Sequence, residues 1–507
     1  MSGHIQKSKN MKKRSFYFTI ILVAAVVLEG CMKVGVNPVS GNKRAFGYSW
    51  EQEVQIGKDS DSEIIAQYGL YENEELSTYV SDLGQALLEV SHMRRDDTAE
   101  QFRNTEFTFR VLNSPVVNAF ALPGGYIYVT RGLLAHLDNE AQLAVVLGHE
   151  IAHVAARHAS QRAATQQFGQ LAVIGGAILG QSLGYDGGSI LQLSSQTAEL
   201  VFLKYSRDAE RESDELGVEY SAMKKYQAAE GAEFFTSLKR ISESQGGGIP
   251  TLLSSHPDPG EREQTIPRLA QEWAERGYEQ TILDKEEFMR MIDNIMFGEN
   301  PREGFSSDGL FYHPDLEFQF PVPNGFKLYN QPSAVIMVNE EQTAISQFTI
   351  DSENNTPKAS VEAFLGQEGI TTESTSNYSA NGINGYRGIA TATAQDGSEL
   401  KVQLTAIGYG GNIYQFLSYT TSAQYGNYEG RFKSIPDGFE RLTNSSILNV
   451  KPVRLQLMTT SRSAPFSSFL PNELPMEIQP IDVAIINQVE LDQNIPSGTV
   501  LKMPIQR

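Results

Sequence analysis

The spacing of apolar residues predicts that the region up to about residue 300 is mainly helical. From Ser49 to about Val90, apolar residues recur mostly at three- and four-residue steps, as on one face of an α-helix. Asp138 or Asn139 can cap a further helix that runs to about His158. Helical patterns follow over residues 206–226, 229–243 and 267–297. Strand patterns occur over 107–112 and, after a Pro-Gly-Gly turn, over 126–130, so the sheet of this region should be small.

Beyond residue 300 the pattern changes to an alternation of apolar and polar residues, which is typical of strands. Strands are predicted over 317–320, 334–338, 343–350, 388–394, 400–407 and 413–419, and helices over 360–365 and 422–433. A polar stretch with proline and glycine near 300–308 marks the boundary. We therefore predict an α+β domain over 301–445 and a small separate segment over 446–507.

The N-terminus has the pattern of an export signal. A basic start at Met11 is followed by the apolar run Phe16–Leu28 and then by Glu29, Gly30 and Cys31. Cys31 is the only cysteine, and it stands where a bacterial lipoprotein signal places its acylated residue. We expect residues 1–30 to be a signal peptide and Cys31 to anchor the protein by lipid in the periplasm, at the outer membrane. The alternative is a buried structural cysteine.

Composition narrows the function classes. The chain has 507 residues, 41 Lys and Arg against 61 Asp and Glu, and a net charge of −20. Because a protein this acidic would repel the phosphate backbone of DNA or RNA, nucleic acid is not an expected partner. A single cysteine excludes an intramolecular disulfide and a zinc site made of cysteines alone.

The residues that carry chemistry lie on the predicted helix 141–156, which is apolar on every side. Its only polar side chains are Gln142, His149, Glu150 and His153, and burying such groups is costly unless they are paired or bind a metal. His149 and His153 are four residues apart and project from one face, whereas Glu150 is turned towards an attacking water. This is the H-E-x-x-H motif of two metal ligands and a general base.

Catalytic zinc needs a third protein ligand, and the stretch Ser206–Asp214 can supply it. Glu210 and Asp214 share one helical face, so we assign Glu210 to the metal and Asp214 to the free ring nitrogen of a ligand histidine. Asp208 and Glu212 are assigned to the solvated side. The alternative is that the whole acidic helix is simply solvated.

Together these segments resemble the HtpX- and CaaX-prenyl-protease-like family of zinc metalloendopeptidases, and in particular its periplasmic BepA-like lipoprotein branch. Two further landmarks are similar, Asn118–Gly125 and Ser255-His256-Pro257, and the resemblance covers about Ser49 to Glu299. Ser213 departs from it, since the family usually has alanine there. The resemblance implies a mainly helical gluzincin domain over 31–300, one Zn²⁺ per chain, and protein or peptide substrates.

The resemblance also implies a substrate cleft. The strand that begins at Gly125 and Tyr126 would be a cleft edge to which an extended substrate adds, with Asn118 and Ala119 lining the cleft through main-chain groups. The alternative is an ordinary core strand. His256 would lie at the cleft, either as a donor to the oxyanion or in the open metal position, where it would keep the enzyme latent. Otherwise it is a turn residue in solvent.

The appended regions resemble known modules in part. The strand order of 310–445 is similar to the PsbP/Mog-like α/β sandwich, and 446–507 is similar to the second half of a LysM module. Peptidoglycan binding and a purely structural cap are equal alternatives for that tail.

The sequence thus predicts an envelope zinc metalloendopeptidase of protein quality control. Its rivals are a chaperone-like factor of outer-membrane assembly with little proteolysis and a peptidoglycan-associated factor.

Overall fold

The computed structural model describes residues 33–173, 204–244, 252, 255–256, 259–393, 398–476 and 478–506. The predicted signal peptide and Cys31 lie outside these residues. Within the described ranges, the helices are all too short or too polar to cross a membrane.

Helices dominate the first domain, as the apolar spacing predicts. Their bounds are α1 Trp50–Tyr68, α2 Glu74–Val90, α3 Glu100–Arg103, α4 Arg131–His136, α5 Glu140–Ala155, α6 His158–Val173, α7 Arg207–Met223, α8 Gly231–Ser244, α9 Pro259–Glu275 and α10 Lys285–Ile292. Side-chain caps fix several starts: Asn139 accepts from the backbone N–H of Gln142 at 2.9 Å, and Ser206 accepts from that of Ala209 at 3.2 Å. The central helix α5 is buried along its whole length.

A small sheet lies beside α5, and its strand order corrects one prediction. The strands are β3 Thr108–Leu112, β4 Ala119–Leu122 and β5 Tyr126–Thr130, in the order β3-β5-β4. Because β3 pairs with β5 in parallel and β4 pairs with its other side, β5 is the central strand. The prediction that the strand from Gly125 is the cleft edge is therefore wrong. The edge strands are β3 and β4, and β4 packs against α5.

An N-terminal hairpin is attached to the C-terminal end of α5, the predicted catalytic helix. It consists of β1 Lys33–Val36 and β2 Lys43–Phe46, and it packs on α6. The Asn37 amide donates to the Ala156 carbonyl at 2.9 Å. The guanidinium of Arg157 lies 3.6 Å from the centre of the Phe46 ring and donates to Glu53 at 2.9 Å. The hairpin therefore fixes the turn between α5 and α6.

The second region is rich in strands, in agreement with the change of pattern after residue 300. Its strands are β6 Phe305–Ser307, β7 Leu310–His313, β8 Phe318–Pro321, β9 Phe326–Gln331, β10 Ala334–Asn339, β11 Ala344–Asp351, β12 Ile370–Ala380, β13 Ile383–Thr393, β14 Glu399–Tyr409, β15 Asn412–Thr421 and β16 Glu440–Arg441. They form an antiparallel sheet in the order β12-β13-β14-β15-β11-β10-β9 and a smaller one in the order β16-β8-β7-β6. Phenylalanines fill the core between the two sheets.

Two helices cover this region, at the positions that the sequence predicts. Helix α11 spans Pro357–Leu365 and packs on β13 and β14, whereas α12 spans Tyr425–Asp437 and packs on β15 and β8. The sequence did not predict β12, whose residues are mostly exposed on both faces. Its threonines and serines offer no apolar alternation.

The chain then returns to the first domain. Helix α13 spans Ser445–Leu448, α14 spans Pro480–Ile486, and the strands are β17 Val453–Thr459, β18 Ala464–Pro465, β19 Asn494–Ile495 and β20 Val500–Gln506. Strand β17 pairs with β20, and the Leu455 backbone exchanges hydrogen bonds with Asn294 and Ile295 at 2.7 and 2.9 Å. Buried apolar side chains of this segment belong to the same core as α5: Leu455, Phe466, Val483, Ile485, Ile486, Ile495 and Leu501.

Polar contacts of the same segment hold the residues just before the catalytic helix. The Lys502 ammonium is fully buried and donates to the Leu137 carbonyl at 2.7 Å. The Gln488 amide donates to the His136 carbonyl at 3.0 Å and pairs with Gln142 in the first turn of α5. Of the two alternatives for the tail, this arrangement favours the structural one. The division of the chain at 446 and the LysM resemblance stay predictions.

Because the tail and the first domain share this core, a substitution in the tail should lower the stability of the first domain. Truncating Ile486 to Ala should lower the free energy of unfolding by about 2–5 kcal/mol, because it leaves a cavity in that core. Trp50 and Trp273 are the only tryptophans and both lie in the first domain, so their fluorescence reports its unfolding in urea. Met476→Ala, at a side chain 52% exposed, is the control. If the tryptophan transition of the Ile486 variant matched wild type, the tail would be an independent module.

Candidate active site

Helix α7 reaches the catalytic helix through a close crossing at two glycines. A Cβ on Gly148 would lie 3.0 Å from the Cα of Gly217, and a Cβ on Gly217 would lie 2.9 Å from the backbone nitrogen of His149. Any larger residue would push the helices apart. The crossing thereby brings the carboxylates of α7 to the histidines of α5.

Four side chains converge at this crossing. His149, His153, Glu210 and His256 each offer one ligand atom, and these atoms all lie within 4.8 Å of one another. The two Nε2 atoms of His149 and His153 are 2.9 Å apart, and each lies 3.5 Å from a carboxylate oxygen of Glu210. The Nδ1 atom of His256 lies 3.2 Å from His149 Nε2 and from both Glu210 oxygens. The structure therefore brings together the three predicted ligands and adds His256 as a fourth group.

The electrostatics of the cluster favour a cation at its centre. The Nδ1 atom of His149 lies 2.9 Å from the Asp214 carboxylate, as the sequence predicts for that aspartate. Burial opposes charge on His149, but Asp214 and Glu210 outweigh it and raise the pKa of His149 to about 9. Burial likewise opposes ionisation of Glu210, yet the histidines hold its pKa well below its usual value. Imidazole nitrogens and a carboxylate form a donor set that suits zinc, so these residues fit a metal ion.

Glu150 is buried beside the cluster. One of its oxygens lies 3.7 Å from His256 Nε2, and the other has no hydrogen-bond partner among the described residues. Burial raises the pKa of this carboxyl group. A carboxylate so placed can accept a proton from a water molecule at the cluster.

Arg262 is a site residue that the sequence did not predict. Its Nε atom donates to Asp214 at 2.7 Å, its Nη2 atom donates to Glu210, and its guanidinium lies 4.7 Å from the centre of the Phe235 ring. One buried cation thus orients both the predicted ligand and the carboxylate behind His149. The signal available in the sequence was indirect: buried carboxylates require a cation, but no spacing identifies it.

The His153 ring also contacts two side chains outside the cluster, Tyr205 and His158. The ring of Tyr205 stacks on it with 3.9 Å between centroids, and His158 Nδ1 lies 3.0 Å from His153 Nδ1. His158 Nε2 in turn lies 3.0 Å from a Glu212 oxygen. The assignment of Glu212 to the solvated side is therefore wrong, because His158 at the start of α6 contacts the side chain, which is only 28% exposed. Asp208 is on the solvated side, with its side chain 97% exposed.

The predicted cleft residues divide into two groups. Asn118 and Ala119 are buried at the start of the edge strand β4, whose end lines a small cavity with His153 and Tyr205. Gly125 and Tyr126 lie at the turn into β5. A Cβ on Gly125 would meet Phe107, and the Tyr126 ring packs close to α1. Their contacts are thus to the core and to α1, as expected for an ordinary core strand.

Comparisons with known proteins agree with this site. The family model that matches residues 88–270 is that of Peptidase family M48. The chain is 27% identical over 244 residues to "Mitochondrial metalloendopeptidase OMA1" of Schizosaccharomyces pombe, covering 46% of this chain and 65% of that protein. It is 26% identical over 230 residues to "Beta-barrel assembly-enhancing protease" of Escherichia coli K12, covering 44% and 45%. It is 32% identical over 165 residues to "Metalloendopeptidase OMA1, mitochondrial" of Bos taurus, covering 31% of each.

These matches span part of each protein, from about a third to two thirds of the length of the relatives named here. Among solved structures, the cyanobacterial PsbP protein CyanoP from Synechocystis matches 27% of this chain and 94% of its own, with 14% identity and a TM-score of 0.22. The PsbP/Mog-like assignment of residues 310–445 stays a prediction.

The family match contains all the residues that build the cluster: His149, Glu150, His153, Glu210, Asp214, His256 and Arg262. The predicted resemblance to the BepA-like metalloendopeptidases is thereby confirmed at the level of the domain. The chain carries a domain of Peptidase family M48.

Proposed function

We propose that the protein is a zinc-dependent metalloendopeptidase of the bacterial cell envelope that hydrolyses peptide bonds in proteins. The observation that carries this proposal is the convergence of His149, His153 and Glu210 beside Glu150, one oxygen of which has no hydrogen-bond partner among the described residues. A chaperone-like factor with little proteolysis would have no need to bury four such groups in one place. The cluster therefore favours the enzyme.

The roles of the residues follow from their contacts. Zinc held by His149, His153 and Glu210 would supply the Lewis acid that polarises the scissile carbonyl. Glu150 accepts a proton from the attacking water and passes it to the leaving amine, for which its raised pKa is suited. Arg262 and Asp214 hold Glu210 and His149 in place from behind.

His256 decides whether the site is open. Its Nδ1 atom is in contact with Glu210 and His149, which is where a fourth ligand would lie. We infer that His256 occupies the open metal position in this conformation and keeps the enzyme latent, rather than donating to an oxyanion. A loop movement that withdraws His256 would then expose the position to water and substrate.

The substrate is proposed to add to the edge strand β4, since β5 is enclosed between two strands. Backbone pairing of this kind recognises an extended chain rather than a particular sequence. It would suit a protease of envelope protein quality control that cleaves unfolded chains.

The location and partners are proposed from the sequence and from the relatives. Cys31 would anchor the mature chain by lipid in the periplasm, at the outer membrane. The relative named as a beta-barrel assembly-enhancing protease supports a link to outer-membrane assembly. Peptidoglycan binding by residues 446–507 is the weaker proposal, because that segment contributes to the protease core.

Replacing Glu150 by Gln tests the proposed function. The variant should keep its zinc and its fold, because the ligands are unchanged, and lose about two to four orders of magnitude in the rate of casein cleavage. Metal content and cleavage are measured on the same preparation. Glu233→Gln, at an exposed glutamate of α8, is the matched control and should cleave as wild type does. Undiminished cleavage by the Glu150 variant would refute the mechanism.

The third ligand is tested by Glu210→Ala. We expect this variant to lose zinc, because it leaves only imidazoles at the site and no anionic protein ligand. Asp208→Ala lies on the same helix with an exposed side chain and should retain a full complement of metal. Elemental analysis after gel filtration measures both. Equal metal contents in the two variants would show that another group completes the site.

The latent arrangement predicts that His256→Ala increases the initial rate of casein cleavage without loss of zinc, since the three predicted ligands remain. If His256 instead donated to the oxyanion, the same change would slow cleavage by about 10²–10³-fold. Initial rates at equal zinc content separate the two roles. A variant with the wild-type rate would exclude both of them.

A further inference from the structure

We infer that His158 and Glu212 are positioning residues for the metal, because together they set which nitrogen of His153 carries the proton. This inference deepens the proposed function and rests on it, since it concerns the metal that His153 would bind. Neither residue is among the ligands, and sequence reasoning placed Glu212 in solvent.

The turn after the catalytic helix brings His158 back to His153. Arg157 adopts a left-handed backbone conformation with φ of 59°, which costs free energy for a residue other than glycine. Its side chain is held by Glu53 and by the Tyr48 carbonyl, both at 2.9 Å. The chain reverses at this point, so His158 at the start of α6 is buried against the His153 ring.

Three groups then form one hydrogen-bonded chain. His153 Nδ1 and His158 Nδ1 are 3.0 Å apart, and His158 Nε2 and Glu212 Oε2 are 3.0 Å apart. An ionised carboxylate can only accept hydrogen bonds. His158 must therefore carry its proton on Nε2.

The proton on His158 Nε2 also determines which nitrogen of His153 carries a proton. A neutral His158 with its proton on Nε2 has a bare Nδ1, which can only accept. His153 must then donate from its own Nδ1, which leaves its Nε2 lone pair directed at His149 and Glu210. In the opposite tautomer, a hydrogen on His153 Nε2 would occupy the centre of the cluster and block coordination.

The two ligand histidines are thus oriented by carboxylates of the same helix. Asp214 acts on His149 directly at 2.9 Å, and Glu212 acts on His153 through His158. Ser213 lies between them and places its hydroxyl 3.4 Å from His158 Nδ1, a longer contact than the one to His153. A carboxylate behind each ligand raises the basicity of the nitrogen that faces the metal.

A purely structural role for His158 makes a different prediction. If the ring only filled space, leucine would replace it with little effect on the metal. If it acts through hydrogen bonds, leucine should fail, whereas glutamine should restore function in part, because its amide can accept from His153 and donate to Glu212.

The test compares metal binding by the full chain and its variants. Zn²⁺ affinity is measured by competition with a chromophoric chelator, and the visible absorption of bound Co²⁺ reports the ligand geometry. We expect His158→Leu to raise the Kd for Zn²⁺ by about 10- to 100-fold and to shift the Co²⁺ bands. His158→Gln and Glu212→Gln should lie between this variant and wild type. His136→Leu replaces a histidine that contacts the Gly132 carbonyl instead, and should bind as wild type does.

Each outcome supports or overturns the inference, the proposed function or both. A wild-type Kd and Co²⁺ spectrum for folded His158→Leu would overturn the inference and leave the proposed function intact. A glutamine variant no better than leucine, with both folded by tryptophan fluorescence, would also overturn it. Failure of wild type itself to bind Zn²⁺ or Co²⁺ would overturn both. If the variants rank as expected but neither wild type nor His256→Ala cleaves casein, the inference stands and the proposed proteolysis falls.

Discussion

The structure depends on the burial of acidic and imidazole groups around the crossing of α5 and α7. Glu150, Glu210 and Asp214 are all less than a tenth exposed, so each would destabilise the fold if it were ionised without a partner. The other parts of the site compensate for the cost of burying these groups. Arg262 provides a fixed positive charge, the glycine pair allows the close approach, and the converging histidines favour a cation.

The catalytic helix is held at both ends by segments far from it in the sequence. The N-terminal hairpin and Arg157 fix its C-terminal end, and the returning tail fixes the residues before its N-terminal end through Gln488 and Lys502. The strand-rich region is therefore an insertion between two parts that share one core. Because the metal ligands tolerate little displacement, this closure explains why the tail helix packs on α8 and α4 and shares their core rather than forming a core of its own.

The sequence predicted the parts of the site that depend on local spacing. Helix α5 and the shared face of Glu210 and Asp214 follow from helical periodicity, and the structure has them; of the two predicted caps, Asp138 and Asn139, it uses Asn139. The parts of the site that the sequence did not predict depend on contacts between distant segments. Arg262 and His158 carry no periodic signal, and the position of β5 between β3 and β4 depends on the order in which strands pair. Strand β12 was missed because exposure on both faces removes the alternation by which strands are recognised.

The error at Glu212 has a physical cause that bears on the site. Positions two residues apart on a helix face about 200° apart, so Glu212 must point away from the face of Glu210 and Asp214. A helical face is solvated only if nothing packs on it, and the reversal at Arg157 brings His158 into contact with Glu212 on that face. Helix α7 thus acts on the ligand histidines from two of its faces, directly through Glu210 and Asp214 and, through His158, from Glu212. A displacement of α7 at the glycine crossing would disturb the contacts behind both ligand histidines and the third ligand together, so the spacing of these helices couples all three ligands to one packing contact.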